Sequence, residues 1–102
     1  VAFKVADLAV MADAARALTY RAAARRDAGR PFRREAAIAK LYATEAAVTA
    51  TRIATQIFGG YGFMDDNPVA RHYRDAKILE IGEGTSEIQR LVIARDLGLP
   101  VT

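Results

Sequence analysis

The chain has 102 residues, of which 52% are hydrophobic and 26% charged, a composition typical of one folded domain. It has no cysteine and a single histidine, which excludes disulfides, a thiol nucleophile and metal sites built from cysteines or several histidines. No apolar run approaches the ~18 residues that a membrane-spanning helix needs, so we expect no membrane span.

The net charge of +3 is carried mainly by arginine, and six arginines fall between Arg21 and Arg34. A patch that binds nucleic acid would carry stacking aromatic side chains among its arginines. Only Phe32 lies among these, and Asp27 and Glu35 dilute the positive charge. We therefore expect a solvated helix end and loop here, with no nucleic-acid partner.

The first predicted helix runs from the first residue to about Ala28. Its apolar residues recur every three or four positions, which predicts one buried stripe: Leu8, Met11, Ala15, Leu18 and Ala22. Gly29 and Pro31 end the helix. No capping residue precedes the apolar pattern at its start, and this predicts a fragment of a larger protein.

Three more helices are predicted after this one. The second spans Arg33 to Phe58 and has a broad apolar face, which predicts contact with more than one neighbour. The third begins at Pro68 with Asn67 as its cap, and the fourth runs from Ser86 to about Leu97. Because no strand pattern is present, the sequence predicts an all-α, antiparallel up-down four-helix bundle.

Two glycine-containing turns are candidate ligand sites. In the first, Gln56–Gly62, glycines after a helix allow backbone to approach a ligand closely. From the residues alone, this segment could also be an ordinary helix C-terminus that binds no ligand. In the second, Glu83 stands between Gly82 and Gly84, so neighbouring side chains do not block access to it.

Thr85 and Ser86 follow this second turn as candidate caps of the fourth helix, whose N-terminus suits polar or anionic groups. The residues alone leave open an acidic surface edge formed by Glu80, Glu83 and Glu87.

Both turns belong to longer motifs that resemble those of the acyl-CoA dehydrogenases. Arg71–Lys77, followed by Glu83–Arg90, is similar to the C-terminal signature of that family, and Gln56–Gly62 is similar to its other C-terminal motif. The alanine-rich segments Ala36–Lys40 and Glu45–Ala47 match as well. The resemblance covers essentially the whole chain and is closest to the short-chain, butyryl-type branch.

The resemblance implies an FAD flavoenzyme of three domains, of which residues 1–102 form the C-terminal helical domain. Such an enzyme converts acyl-CoA thioesters to trans-2-enoyl-CoA and is reoxidised by electron-transferring flavoprotein. It implies Glu83 as the base that removes the α-proton, and Gly84 as a substrate contact. It also implies FAD contacts at two places. One set consists of Thr85, Ser86 and Glu87. The other set reaches the FAD of a neighbouring subunit in a homodimer or homotetramer and consists of Gln56, Ile57, Phe58, Gly59 and Gly60.

One position departs from the family pattern: Gly82 stands where tyrosine is common, which would enlarge or loosen the acyl or thioester region. Because the domain that encloses the flavin in the family is not in this chain, we expect the isolated chain to be inactive. Composition favours a bacterial cytoplasmic enzyme, with a mitochondrial matrix origin left open.

Three other functions are alternatives to an acyl-CoA dehydrogenase. This sequence does not distinguish an acyl-CoA oxidase from a dehydrogenase. It also does not determine the preferred length of the acyl chain. A flavin monooxygenase does not need Glu83 as a base, so the presence of Glu83 argues against that activity. A non-catalytic helical interaction module is disfavoured because ligand-site positions are retained together: Gln56, Gly59, Gly60, Glu83 and Thr85.

Overall fold

The computed structural model describes residues 1–64, 68–82 and 84–101, and within these ranges all regular structure is helical. Four α-helices follow in order: α1 (Ala2–Asp27), α2 (Arg33–Phe58), α3 (Pro68–Leu79) and α4 (Ser86–Asp96). They confirm the predicted four-helix, all-α fold, with bounds that agree with the predicted ones within about a residue. The predicted cap of α3, Asn67, lies outside the described residues.

α2 is the central element of the domain. The helices α1, α3 and α4 each pack against it, and in the described ranges these three do not approach one another closely. All residues from 34 to 51 are buried or half-buried, as the broad apolar face predicted. The site-bearing segments are therefore placed mainly by how each one meets α2.

The buried core consists of small residues. It contains one alanine of α1, two of α2, one of α3 and a serine of α4: Ala22, Ala37, Ala39, Ala76 and Ser86. Small side chains let helix backbones approach closely, while the larger apolar side chains of the described residues are only partly covered. This packing leaves much apolar surface available for contacts outside the chain.

Ion pairs and turns fix the helix ends. Gly29 has a φ of +70°, as expected of the residue that ends α1. Arg25 Nε donates to the Pro31 carbonyl at 2.7 Å and lies 3.3 Å from Glu35 Oε1, which ties the end of α1 to the start of α2. Arg34 also pairs with Asp96 at the end of α4. Two arginines of the arginine-rich segment, Arg25 and Arg34, therefore stabilise the fold.

A short 3₁₀ helix, Gly59–Phe63, directly follows α2 and was not predicted. Within the described ranges, no helix combines the length and the apolar character needed to cross a membrane.

Candidate functional site

The turn between α3 and α4 contains Glu83, the predicted base, which itself lies outside the described residues. The backbone is held on both sides of this position. The Gly82 N–H donates to the Ile78 carbonyl at 2.9 Å and closes the end of α3. The Gly84 carbonyl accepts a hydrogen bond of 2.5 Å from the Nζ of Lys40, a half-buried residue of α2.

The backbone conformation of Gly84 favours glycine. Its φ of +99° lies in a region that side-chain-bearing residues rarely adopt. A Cβ at this position would lie 2.7 Å from Nε2 of Gln89, the flexible end of a side chain that would have to move aside. Gly84 is thus bonded to Lys40 of α2 and lies beside Gln89 of α4, and the predicted substrate contact has no side chain to obstruct a ligand.

The N-terminus of α4 is capped by Thr85, as the sequence predicted. Thr85 Oγ1 accepts a hydrogen bond of 3.2 Å from the Ile88 N–H. Ser86 and Glu87 form the first turn, where backbone N–H groups have no acceptor within the helix and carry partial positive charge. This end of α4 can therefore donate hydrogen bonds to a polar or anionic group.

Ser86 is buried, with only 8% of its surface exposed, and its Oγ finds no hydrogen-bond partner among the described residues. A buried hydroxyl is normally bonded, so this oxygen has capacity for a group from outside the chain. Ser86 borders a hollow of about 350 Å³ whose lining is mostly polar: Glu45, Lys77, Glu80, Ile81, Thr85, Ser86 and Glu87.

Two of the carboxylates in this hollow are paired with cations. Lys77 Nζ lies 2.8 Å from Glu80 Oε1, and this hydrogen bond raises the pKa of Lys77. Arg90 lies 3.0 Å from Glu45 Oε1, which also joins α4 to α2. The pairing reduces the net negative charge that a ligand here would meet.

The second candidate segment surrounds the end of α2. Gly59 has a φ of +63° and a ψ of −137°, which again favours glycine. A Cβ on Gly62 would lie 2.8 Å from the Thr55 carbonyl oxygen, so the 3₁₀ helix lies directly against α2. Gln56, Phe58 and Gly60 are exposed, whereas Ile57 and Gly59 are partly covered.

This segment borders a separate hollow of about 570 Å³ between α2, the 3₁₀ helix and α3. Its lining includes three predicted residues and several others: Gln56, Gly59 and Gly60, with Arg52, Thr55, Gly62, Ala70, Tyr73 and Arg74. The exposed Arg52 and the exposed backbone of Gly60 suit an anionic group such as a phosphate.

The two hollows share no lining residue among those described. The structure thus brings Gln56, Gly59 and Gly60 together, and brings Thr85–Glu87 together, but does not join the two sets. Sequence reasoning missed Lys40, Arg52, Tyr73 and Arg74 as neighbours of these segments. Arg52 stands four residues before Gln56, and this spacing was a usable signal because it puts both on one face of a helix.

The described residues hold no cluster of three or more acidic, histidine or cysteine side chains that could bind a metal ion.

The fold and both motif segments define a helical domain that matches a known family. Residues 1–98 match the family described as acyl-CoA dehydrogenase, C-terminal domain. The chain therefore belongs to the acyl-CoA dehydrogenase family, as its motifs indicated.

Individual relatives and solved structures support this family assignment. The chain is 57% identical over 95 residues to the mitochondrial short-chain specific acyl-CoA dehydrogenase of Bos taurus, covering 93% of this chain and 23% of that protein. The structure of butyryl-CoA dehydrogenase from Megasphaera elsdenii superposes with a TM-score of 0.92 at 50% identity, covering 94% of this chain and 25% of that one. The structure of the FAD complex of PigA superposes with a TM-score of 0.93 at 32% identity, covering 96% of this chain and 26% of that one. The chain thus spans about a quarter of the length of the relatives it matches.

Family members bind FAD, and the residues of this chain fit that cofactor. The unpartnered Ser86 hydroxyl and the N-terminus of α4 can donate to polar groups of a flavin. Arg52 and the glycine backbone at the end of α2 can receive a pyrophosphate.

Proposed function

We propose that this chain is the C-terminal domain of a three-domain flavoenzyme that dehydrogenates short-chain acyl-CoA thioesters to trans-2-enoyl-CoA. The observation that carries the proposal is the Glu83-Gly84-Thr85 sequence at the start of α4, in a chain 57% identical to a short-chain specific acyl-CoA dehydrogenase. The positive φ of Gly84 and the Thr85 cap support it, because they define the backbone of the two residues that follow Glu83 in the sequence.

In this proposal Glu83 takes the α-proton of the acyl thioester. The carbon acid is weak, so the base must be oriented in a site that excludes water, an effect worth typically 10²- to 10⁴-fold in rate. The Glu83 N–H would donate to the thioester oxygen and stabilise the enolate. Bound FAD supplies the acceptor for the β-hydrogen, which leaves as a hydride.

We assign the two hollows to two flavins. Thr85, Ser86 and Glu87 would contact the FAD of their own subunit, and the buried, unpartnered Ser86 hydroxyl supports this assignment. Gln56, Ile57, Phe58, Gly59 and Gly60 would reach the FAD of a neighbouring subunit in a homodimer or homotetramer. The separation of the hollows supports the use of two different flavins.

The remaining parts of the proposal concern partners and context. Electron-transferring flavoprotein would reoxidise the flavin, and the enzyme would act in the bacterial cytoplasm. The isolated chain would not turn over, because the flavin in this family is enclosed by a second domain.

Product analysis of the full-length parent tests the activity. Incubation with butyryl-CoA and an electron acceptor should give trans-2-enoyl-CoA, identified by mass as the substrate less two hydrogens. A parent carrying Asp13→Asn, which removes an exposed carboxylate of α1, should behave like the wild type. Failure to dehydrogenate acyl-CoA of any chain length would contradict the proposed function.

A further inference from the structure

Lys40 makes a contact that a surface lysine would not make. It is half-buried, and it lies next to the buried Ala39 on α2. Its Nζ donates to the Gly84 carbonyl at 2.5 Å, across 44 residues of sequence. Lysine side chains usually extend their ammonium group into water. A charged donor that instead bonds a backbone carbonyl forms one of the stronger hydrogen bonds available to a protein.

The other hydrogen bonds that the structure describes for residues 82, 84 and 85 are local. The Gly82 N–H bonds to Ile78, and the Thr85 hydroxyl bonds to the Ile88 N–H, so each partner lies within four residues. Such bonds shape the end of α3 and the start of α4, but they do not fix where the turn lies relative to α2. The glycines at 82 and 84 have no side chains that could pack there. The Lys40 bond ties the turn itself to α2, whereas the Arg90–Glu45 ion pair joins α4 to α2 one to two turns further along the helix.

We propose that Lys40 is a positioning residue for the reaction: by holding the Gly84 carbonyl, its ammonium fixes the turn that carries Glu83. This inference rests on the proposed function. Because glycine can adopt many backbone conformations, release of the Gly84 carbonyl would allow the turn to move away from its present φ of +99°. A shift of about 1 Å at a reacting group can reduce the rate about 100-fold.

The test uses the full-length parent with Lys40→Met and Lys40→Arg. The readouts are FAD occupancy, the thermal midpoint, KM for butyryl-CoA and the single-turnover rate of flavin bleaching at saturating butyryl-CoA. We expect Lys40→Met to lower the bleaching rate about 10- to 100-fold with FAD occupancy and KM close to wild type. Lys40→Arg can still donate to the carbonyl and should recover most of the rate. Arg26→Met, which removes an exposed cation from the solvated end of α1, is the control and should match the wild type.

The outcomes separate the two claims. A wild-type bleaching rate in Lys40→Met would overturn the inference alone, as would a loss of rate that merely follows a loss of FAD or of folded protein. If Lys40→Met does not fold, Lys40→Arg should still be faster than Lys40→Gln, and equal rates would overturn the inference. A wild-type parent that acyl-CoA does not bleach would overturn the proposed function and this inference with it.

Discussion

At the scale of single residues, Gly84 has a backbone conformation that favours glycine. Its φ of +99° opposes a side chain, and a Cβ would in addition displace the flexible end of Gln89, whose Nε2 would lie 2.7 Å away. We predict that Gly84→Ala lowers the free energy of unfolding of the chain by about 1–3 kcal/mol, measured by urea denaturation. Gly82→Ala is the matched control, because its Cβ would meet only the Ile78 carbonyl oxygen at 3.4 Å, and it should cost less. Equal losses in the two variants would contradict this account of the turn.

At the scale of elements, the start of α4 depends on its cap. Thr85→Ala removes the acceptor for the Ile88 N–H and should lower the free energy of unfolding by about 0.5–2 kcal/mol. Thr85→Ser keeps the hydroxyl and should restore most of the loss in the same denaturation experiment. If alanine and serine behaved alike at this position, the capping role would be wrong.

The end of α3 has a pH-dependent contact between Lys77 and Glu80. The hydrogen bond to Glu80, and then the charge of Glu80, raise the pKa of Lys77 above its ordinary value of 10.5. The stabilisation is therefore fully present below pH 10.5 and is lost as the pH rises through the raised pKa. We predict that the difference in thermal midpoint between wild type and Lys77→Gln narrows above that pH. Arginine keeps its charge at this pH, so the difference in thermal midpoint between Lys77→Arg and Lys77→Gln should persist. If that difference narrowed as much as the one between wild type and Lys77→Gln, the explanation would be contradicted.

At the scale of the whole molecule, large apolar side chains lie on the surface of an alanine-rich core. Phe3 is 87% exposed and Tyr61 73% exposed. Other large apolar residues are exposed as well: Val1, Val5, Val10, Tyr20, Phe32, Phe58, Met64, Tyr73, Ile78, Leu79, Ile81, Ile88, Leu97 and Leu99. Exposure on this scale is typical of surfaces that other domains or subunits cover.

We therefore predict that the isolated chain binds a hydrophobic dye such as ANS and associates as its concentration rises, as measured by fluorescence and sedimentation. Phe3→Lys should weaken the association because it adds a charge to the exposed apolar start of α1. A chain that stays monomeric without binding dye would contradict this view of the surface.

The sequence predicted those features that depend on neighbouring residues. Helix bounds follow from local signals such as Gly29, Pro68 and the Thr85 cap, and the structure confirms them. The 3₁₀ helix at Gly59–Phe63 was missed, because glycines allow many conformations and its geometry depends on contact with Thr55. The bond from Lys40 to Gly84 was missed because a lysine on a helix gives no sign that its partner lies 44 residues away. The two motif segments were found by resemblance, whereas their placement in separate hollows came only from the fold.

The assignment of Glu83 as the base is the central claim, and anaerobic titration of the full-length parent with butyryl-CoA tests it most directly. The wild type should lose its visible flavin absorbance as substrate is added. Glu83→Gln should bind FAD normally and keep that absorbance, because an amide cannot accept the α-proton. Normal bleaching in Glu83→Gln would contradict the assignment.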